Sequence, residues 1–285
     1  MAAEQQQAHL RHEAEIREKI TLASLLVSQE KFEEADKILN EILLTEPTVE
    51  GAAVLRSIGE WRAIHNQWKP AAGRFDRLLQ VNQLDGWDVS SLDCLRLGTA
   101  LVEQGDANGY GRFRQGAIAR FIGAACPFPD RIVKISLLQP ADGQVIASLG
   151  AVAEATAKSV DASDAGGDAF QAAWHSVSLA LFEYRKSNFA EAEIWCRRCL
   201  AYPEYNAPRA ATAHVILAMT CNRLNRAGEA RMELAAGREI IEGKFRGQID
   251  RGTPVQGFWF DWVFARILLR EAAALTETSA SSSDR

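Results

Sequence analysis

Cys196 and Cys199 stand three positions apart around Arg197 and Arg198, the spacing at which two thiolates can hold zinc or cycle through a disulfide. Zinc takes four ligands, and this pair has neither a second Cys pair nor a His at ligand spacing. On the buried stripe of a helix a free Cys packs as a small hydrophobe, and that is the reading adopted for both. Cys94, Cys126 and Cys221 bring the total to five, an odd number that fits reduced thiols better than a disulfide framework. His9, His12, His65, His175 and His214 are scattered, with no His-Glu-x-x-His pattern and no local Ser/His/Asp arrangement. His214 reads as a packing residue. No catalytic residue, no metal site and no cofactor is expected.

Composition narrows the partners. The 285 residues carry a net charge of -5 with no compensating run of Lys and Arg, so nucleic acid is not expected. Hydrophobic residues at 47% and charged residues at 24% are globular, and only 8 prolines interrupt long helices. The polar start lacks the apolar core of a signal peptide, and no apolar run reaches the roughly 18 residues of a membrane helix. A cytoplasmic chain that does not insert into membranes is expected.

The elements that position these residues follow one spacing. Leu22 with Ala23, Ile58 with Gly59, Leu97 with Gly98, Leu179 with Ala180 and Leu217 with Ala218 each precede a partner by 13 residues counted from the large aliphatic. The partners are Ala35, Ala71, Tyr110, Ala192 and Ala230. Small residues on facing sides of two antiparallel helices let the axes approach closely, while the aliphatic fills the groove beside them. After Ala35, Ala71, Ala192 and Ala230 come Leu39, Phe75, Cys196 and Leu234, then Ile42, Leu78, Cys199 and Gly237, an amphipathic helical stripe. The apolar pattern predicts helices over 9–28, 32–45, 51–65, 69–82, 89–104, 107–123, 129–138, 143–159, 168–186, 190–201, 207–224, 227–242 and 258–276. No convincing strand is read, and 160–168 and 244–257 are read as loops from their polar, Gly-bearing composition.

This pattern resembles the tetratricopeptide repeat, with Pro47 in the closing place of the first unit. The resemblance implies an all-α chain, a right-handed α-solenoid of tetratricopeptide-like hairpins with a C-terminal capping helix. A polar helix extension (1–15), N-terminal repeats with a degenerate central unit (16–160), C-terminal repeats with the capping helix (168–276) and a disordered tail (277–285) make up the expected organisation. Trp259, Trp262, Arg266 and Leu269 follow helical spacing toward one side, as a cap over the last repeat requires.

A narrower resemblance covers about four-fifths of the chain. It is carried by Gly59 to Ile64, by Asp106 to Arg114 with Ala119, Arg120 and Phe121, by Ala180 to Arg185 with Phe189 to Ala192, and by Phe258 to Ala272. These phrases resemble the repeat region that follows the catalytic domain in a group of bacterial serine/threonine protein kinases. Such a resemblance implies a helper region in signalling. The Gly-rich phosphate loop, strand Lys, His-Arg-Asp loop and Asp-Phe-Gly site of phosphoryl transfer are absent from the sequence, so kinase activity is not carried over.

In a tetratricopeptide-like array the first helices line the concave face. There the candidate groove residues are Trp174, Val177, Leu181, Tyr184 and Arg185, then Thr212, Val215, Met219, Asn222 and Arg223, a mixture suited to anchoring a peptide. The expected function is a non-catalytic protein-protein interaction scaffold that binds a protein or peptide segment, with a kinase domain of the same assembly as one candidate partner. A regulatory segment of a kinase polypeptide and a small-molecule-sensing solenoid stand as alternatives.

Overall fold

In the computed structural model residues 2–42, 48–81, 85–123 and 126–283 are described, with 2–3 and 276–283 described by backbone alone. Pro47, the expected closing residue of the first repeat, lies outside them. The chain divides into two compact units, Met1–Ala100 and Leu101–Arg285. Thirteen helices and one two-stranded ladder are found among the described residues.

The first unit contains α1 (Ala2–Ser28), α2 (Phe32–Asn40), α3 (Val49–Ile64), α4 (Trp68–Val81) and α5 (Trp87–Glu103) up to Ala100. Here α1 packs on α2 and α3, and α3 on α4. In the second unit are α6 (Ala107–Phe121), α7 (Pro129–Ser136), α8 (Gly143–Gly166), α9 (Ala169–Arg185), α10 (Phe189–Ala201), α11 (Ala207–Arg223) and α12 (Ala227–Phe245), with α13 (Trp259–Ser283) at the end. Between α12 and α13, β1 (Gly252–Thr253) pairs antiparallel with β2 (Gly257–Phe258). Neighbours pack in sequence from α6 to α12, except that α8 and α7 both lie against α9, and α13 lies across α11 and α12.

One turn geometry recurs. Glu30, Asn66, Gly105, Ser187 and Asn225, each five residues before a partner position of the 13-residue spacing, have φ of 61°, 58°, 78°, 64° and 59°. The next residue in each turn, Lys31, Gln67, Asp106, Asn188 or Arg226, donates its N–H to the carbonyl five residues back at 2.9–3.1 Å. A left-handed residue with this bond closes the last turn of a helix and satisfies its orphan carbonyl. Gly and Asn adopt that conformation readily, whereas Glu30 and Ser187 do so at about 1–2 kcal/mol.

The small residues face inward as the spacing requires. Ala23, Ala35, Ala71, Ala180, Ala192, Ala218 and Ala230 are buried, and a Cβ placed on Gly59 would lie 2.6 Å from the Phe75 ring. Tyr110 breaks the small-residue rule by filling space. Buried, it donates its hydroxyl to the Ile135 carbonyl at 2.7 Å, and burial pushes its pKa up to about 12.

The stretch 160–168 is not a loop. Val145, Leu149, Val152, Thr156 and Val160 continue one buried stripe, so α8 runs on to Gly166 and stops where Gly167 turns left-handed at φ 75°. The compact units divide within α5 instead of at this polar stretch. At the other end α13 continues beyond 276 to Ser283.

Candidate functional site

The expected groove residues sit on α9 and α11, whose starts are fixed by caps. Asp168 accepts from the Gln171 N–H at 3.1 Å, and Asn206 accepts from the Arg209 N–H at 3.2 Å, with Pro208 in the first turn. The Asn206 amide also donates to the Val255 carbonyl at 2.8 Å, which ties the ladder loop to the start of α11. A Cβ on Gly257 would strike Pro208 at 2.2 Å, so this docking needs glycine there.

The middle of the expected groove is filled. Val177, Leu181, Thr212, Val215 and Met219 are all buried, at 3% exposure or less, on helices against which α7, α10, α12 and α13 pack, and a Cβ placed on Gly237 of α12 would lie 2.9 Å from Val215. Thr212 spends its hydroxyl on the Pro208 carbonyl at 2.7 Å. These five residues, taken from the sequence as lining an open face, are interior residues. Trp174 is half-buried with the Lys134 ammonium 4.0 Å from its ring centroid, and Asn222 is half-buried.

The last turns border a cleft, although Tyr184 is itself buried at 6% exposure. Tyr184, Arg185 and Arg223 come together around a cleft of about 790 Å³, with Pro140, Phe189 and Glu271 among its other walls. Arg185 is engaged: its guanidinium meets the Glu271 carboxylate through both terminal nitrogens, one of them at 2.7 Å, and its Nε donates to the Leu137 carbonyl at 3.1 Å. Burial raises the Tyr184 hydroxyl pKa, against a hydrogen bond from Arg223 that lowers it. The Phe189 ring lies 5.8 Å from that of Tyr184. Arg223 is exposed. The cleft therefore offers aromatic and proline surface beside one exposed guanidinium, a combination that can grip an extended segment by a side chain and a carbonyl or carboxylate.

A second polar group was not foreseen. In α7 the side chain of Asp130 lies in the first turn, where the helix dipole favours a carboxylate, and Lys134 one turn on pairs with Asp261 of α13 at 3.0 Å. Asp261 also accepts from the Phe258 N–H at 3.1 Å, capping α13. Ser178 donates to the Trp174 carbonyl at 3.1 Å and reaches Asp130 at 3.4 Å. His175 Nε2 stands 3.4 Å from Asp130 but out of line for a hydrogen bond, and neither ring nitrogen bonds Ser178. The carboxylate touches the hydroxyl directly, so this is no nucleophile, base and orienter in series. All five residues are buried, and they join α7, α9 and α13. Their separation in sequence, up to 127 residues between Lys134 and Asp261, left no local signal.

Cys196 and Cys199 are buried on α10, where desolvation pushes both thiols up, Cys199 to about 12, so both are protonated at neutral pH. His214 Nδ1 lies 2.6 Å from the Glu233 carboxylate. Among the described residues no group of three or more His, Cys, Asp and Glu is arranged to hold a metal, and no helix is long and apolar enough to cross a membrane.

No protein-family model matches the chain, and no curated protein matches it in sequence. Among solved structures it is similar to BtubC (BKLC) from P. vanneervenii, with a TM-score of 0.43 and 11% identity over 83% of this chain and 94% of that one.

Proposed function

We propose that this chain is a non-catalytic protein-interaction scaffold of tetratricopeptide-like hairpins in a right-handed α-solenoid closed by α13, and that a partner's peptide segment enters the cleft at the C-terminal ends of α9 and α11. The observation that carries the reading is the convergence of Tyr184, Arg185 and Arg223 on one open cleft while the rest of the expected face is packed away. Tyr184 and Phe189 supply apolar anchoring surface, and Arg223 supplies N–H donors for a backbone carbonyl or a carboxylate. Glu271 holds Arg185 in place, which fixes one wall of the cleft before any partner arrives. Such preorganisation lowers the ordering cost of binding.

The setting proposed is bacterial, cytoplasmic and kinase-linked signalling, supported by the phrases at Gly59 to Ile64 and Phe258 to Ala272. A serine/threonine kinase domain encoded upstream in the same reading frame would make the chain that kinase's regulatory segment.

Peptide display against the intact chain tests the cleft. Selected peptides should lose at least about tenfold in affinity, roughly 1.4 kcal/mol, on Tyr184→Ala with Arg223→Ala, while helicity by circular dichroism stays at the wild-type level. Failure to select any peptide whose binding depends on these two residues would overturn the reading.

A further inference from the structure

We infer that two copies of this chain associate through the outer face of α1, crossing antiparallel at Leu22 and Leu25. The internal repeat shows what that face is built for. Glu18, Thr21, Leu22 and Leu25 occupy successive positions of one helical face and are exposed, with Leu22 at 46% and Leu25 at 52%. The same four register positions are His175, Ser178, Leu179 and Phe182 in α9, and Ala213, Ile216, Leu217 and Thr220 in α11. All eight of those are buried. There other helices lie alongside, α8 and α7 on α9, with Asp130 of α7 3.4 Å from both His175 and Ser178, and α10 on α11. In α5 the equivalents Asp93, Arg96, Leu97 and Ala100 are buried as well. The face on α1 thus has the sequence of a helix-packing face and lacks its helix among the described residues.

A second α1 supplies one of the right kind. Two leucines three residues apart on an exposed face are self-complementary under a two-fold axis: Leu22 of one copy meets Leu25 of the other, and a four-leucine cluster leaves water. The charges on either side agree with the antiparallel sense. Glu18, one turn before the leucines, is brought toward the turn that follows α1 in the other copy, where Lys31 stands. Both residues are exposed, and neither has an ion-pair partner among the described residues. Two Glu18–Lys31 pairs related by the axis would flank the cluster, whereas a parallel crossing would set Glu18 against Glu18.

Sedimentation velocity of the intact chain from micromolar to submillimolar concentration tests this. A concentration-dependent dimer is expected, and Leu22→Glu with Leu25→Glu should be monomeric throughout while keeping wild-type helicity. Glu18→Lys should raise the dissociation constant about tenfold, and adding Lys31→Glu should restore it, since each pair changes from attraction to repulsion and back. A wild-type chain monomeric at every concentration, or a dimer indifferent to the leucine variant, overturns the association. A leucine-dependent dimer that the charge exchange fails to restore overturns the antiparallel crossing.

Discussion

In the first unit guanidinium and carboxylate pairs join successive helices, while in the second such pairs (Arg226–Glu193, Arg185–Glu271, and the ammonium pair Lys134–Asp261) are accompanied by a layer of apolar burial from α13. Asp36 of α2 receives Arg62 of α3 at 2.6 Å and Arg74 of α4 at 2.6 Å. Asp93 of α5, at 0% side-chain exposure, receives Arg56 at 2.8 Å and Arg96 at 3.1 Å, and Arg96 also meets Glu60 at 2.7 Å. Burial works against the Arg56 charge, but hydrogen bonds to Asp93 and Asp85 outweigh it and raise the pKa. In the second unit Trp259, Phe260, Val263, Phe264 and Leu268 of α13 are buried. Both units share the left-handed hairpin turn and the inward small residues. The repeat thus specifies how two helices of a hairpin meet, and leaves open what fills the space beside the pair.

The difference is broken most severely by removing the largest buried side chain of α13. Trp259→Ala should cost the second unit about 3–5 kcal/mol through lost burial and the cavity left behind. Hydrogen exchange should then rise in α9, α11 and α13 and stay unchanged in α1 to α4. Equal loss of protection in both units would show that the two do not differ in what holds them.

A somewhat smaller effect is expected from the ionic side. Asp93→Ala leaves Arg56 and Arg96 partly buried beside each other without their shared carboxylate, a loss of about 3 kcal/mol. Protection should fall in α3 and the first part of α5 while α9 and α11 keep theirs. If Asp93→Ala were as mild as an exposed pair, below about 1 kcal/mol, the charged joints of the first unit would be decoration on an apolar core.

What could be read from the residues divides along the same line. The 13-residue spacing placed ten helices, α1 to α6 and α9 to α12, because it depends on contacts inside one hairpin, while α7, α8 and α13 were read from apolar pattern; Asn66, Gly105 and Asn225 carry the turn residue types that such turns favour. Glu30 and Ser187 hold the same conformation with no such signal. The polar composition of 160–168 suggested a loop, yet Val160 on the α8 stripe and the stop at Gly167 decide for helix. Among the groove residues read from the sequence, Tyr184, Arg185 and Arg223 stand in the last turns of their helices and line the cleft, where Glu271 of α13 and the Leu137 carbonyl reach Arg185. Val177, Leu181, Thr212, Val215 and Met219 were misread, since α9 and α11 are packed on more than one side, by the hairpin partners α10 and α12 and also by α7 and α13, and nothing in the local period of α9 or α11 names a distant covering helix. Glu271 and Pro140 were missed for the same reason.

The smallest effect separates burial from charge by titration. The Cys199 thiol lies at about 12 in the folded chain against a reference value of 9.0, chiefly through desolvation, with Arg209 acting the other way. A raised folded value means that the unfolded chain gives up this proton first. Its contribution to stability is therefore whole below pH 9 and is lost as the pH climbs from 9 toward 12. By pH 10 the loss is about 1 kcal/mol. Urea unfolding followed by tryptophan fluorescence should show at least that drop between pH 8.5 and 10 (roughly 1 kcal/mol), and Cys199→Ala should make the drop smaller by that amount, the buried Cys196 thiol keeping its own share, while lowering stability at pH 7 by its lost contact alone. An unchanged slope in Cys199→Ala would mean that the thiol reaches water in the folded state, and that α10 and α11 are packed less tightly than the burial of Cys196, Cys199 and Cys221 indicates.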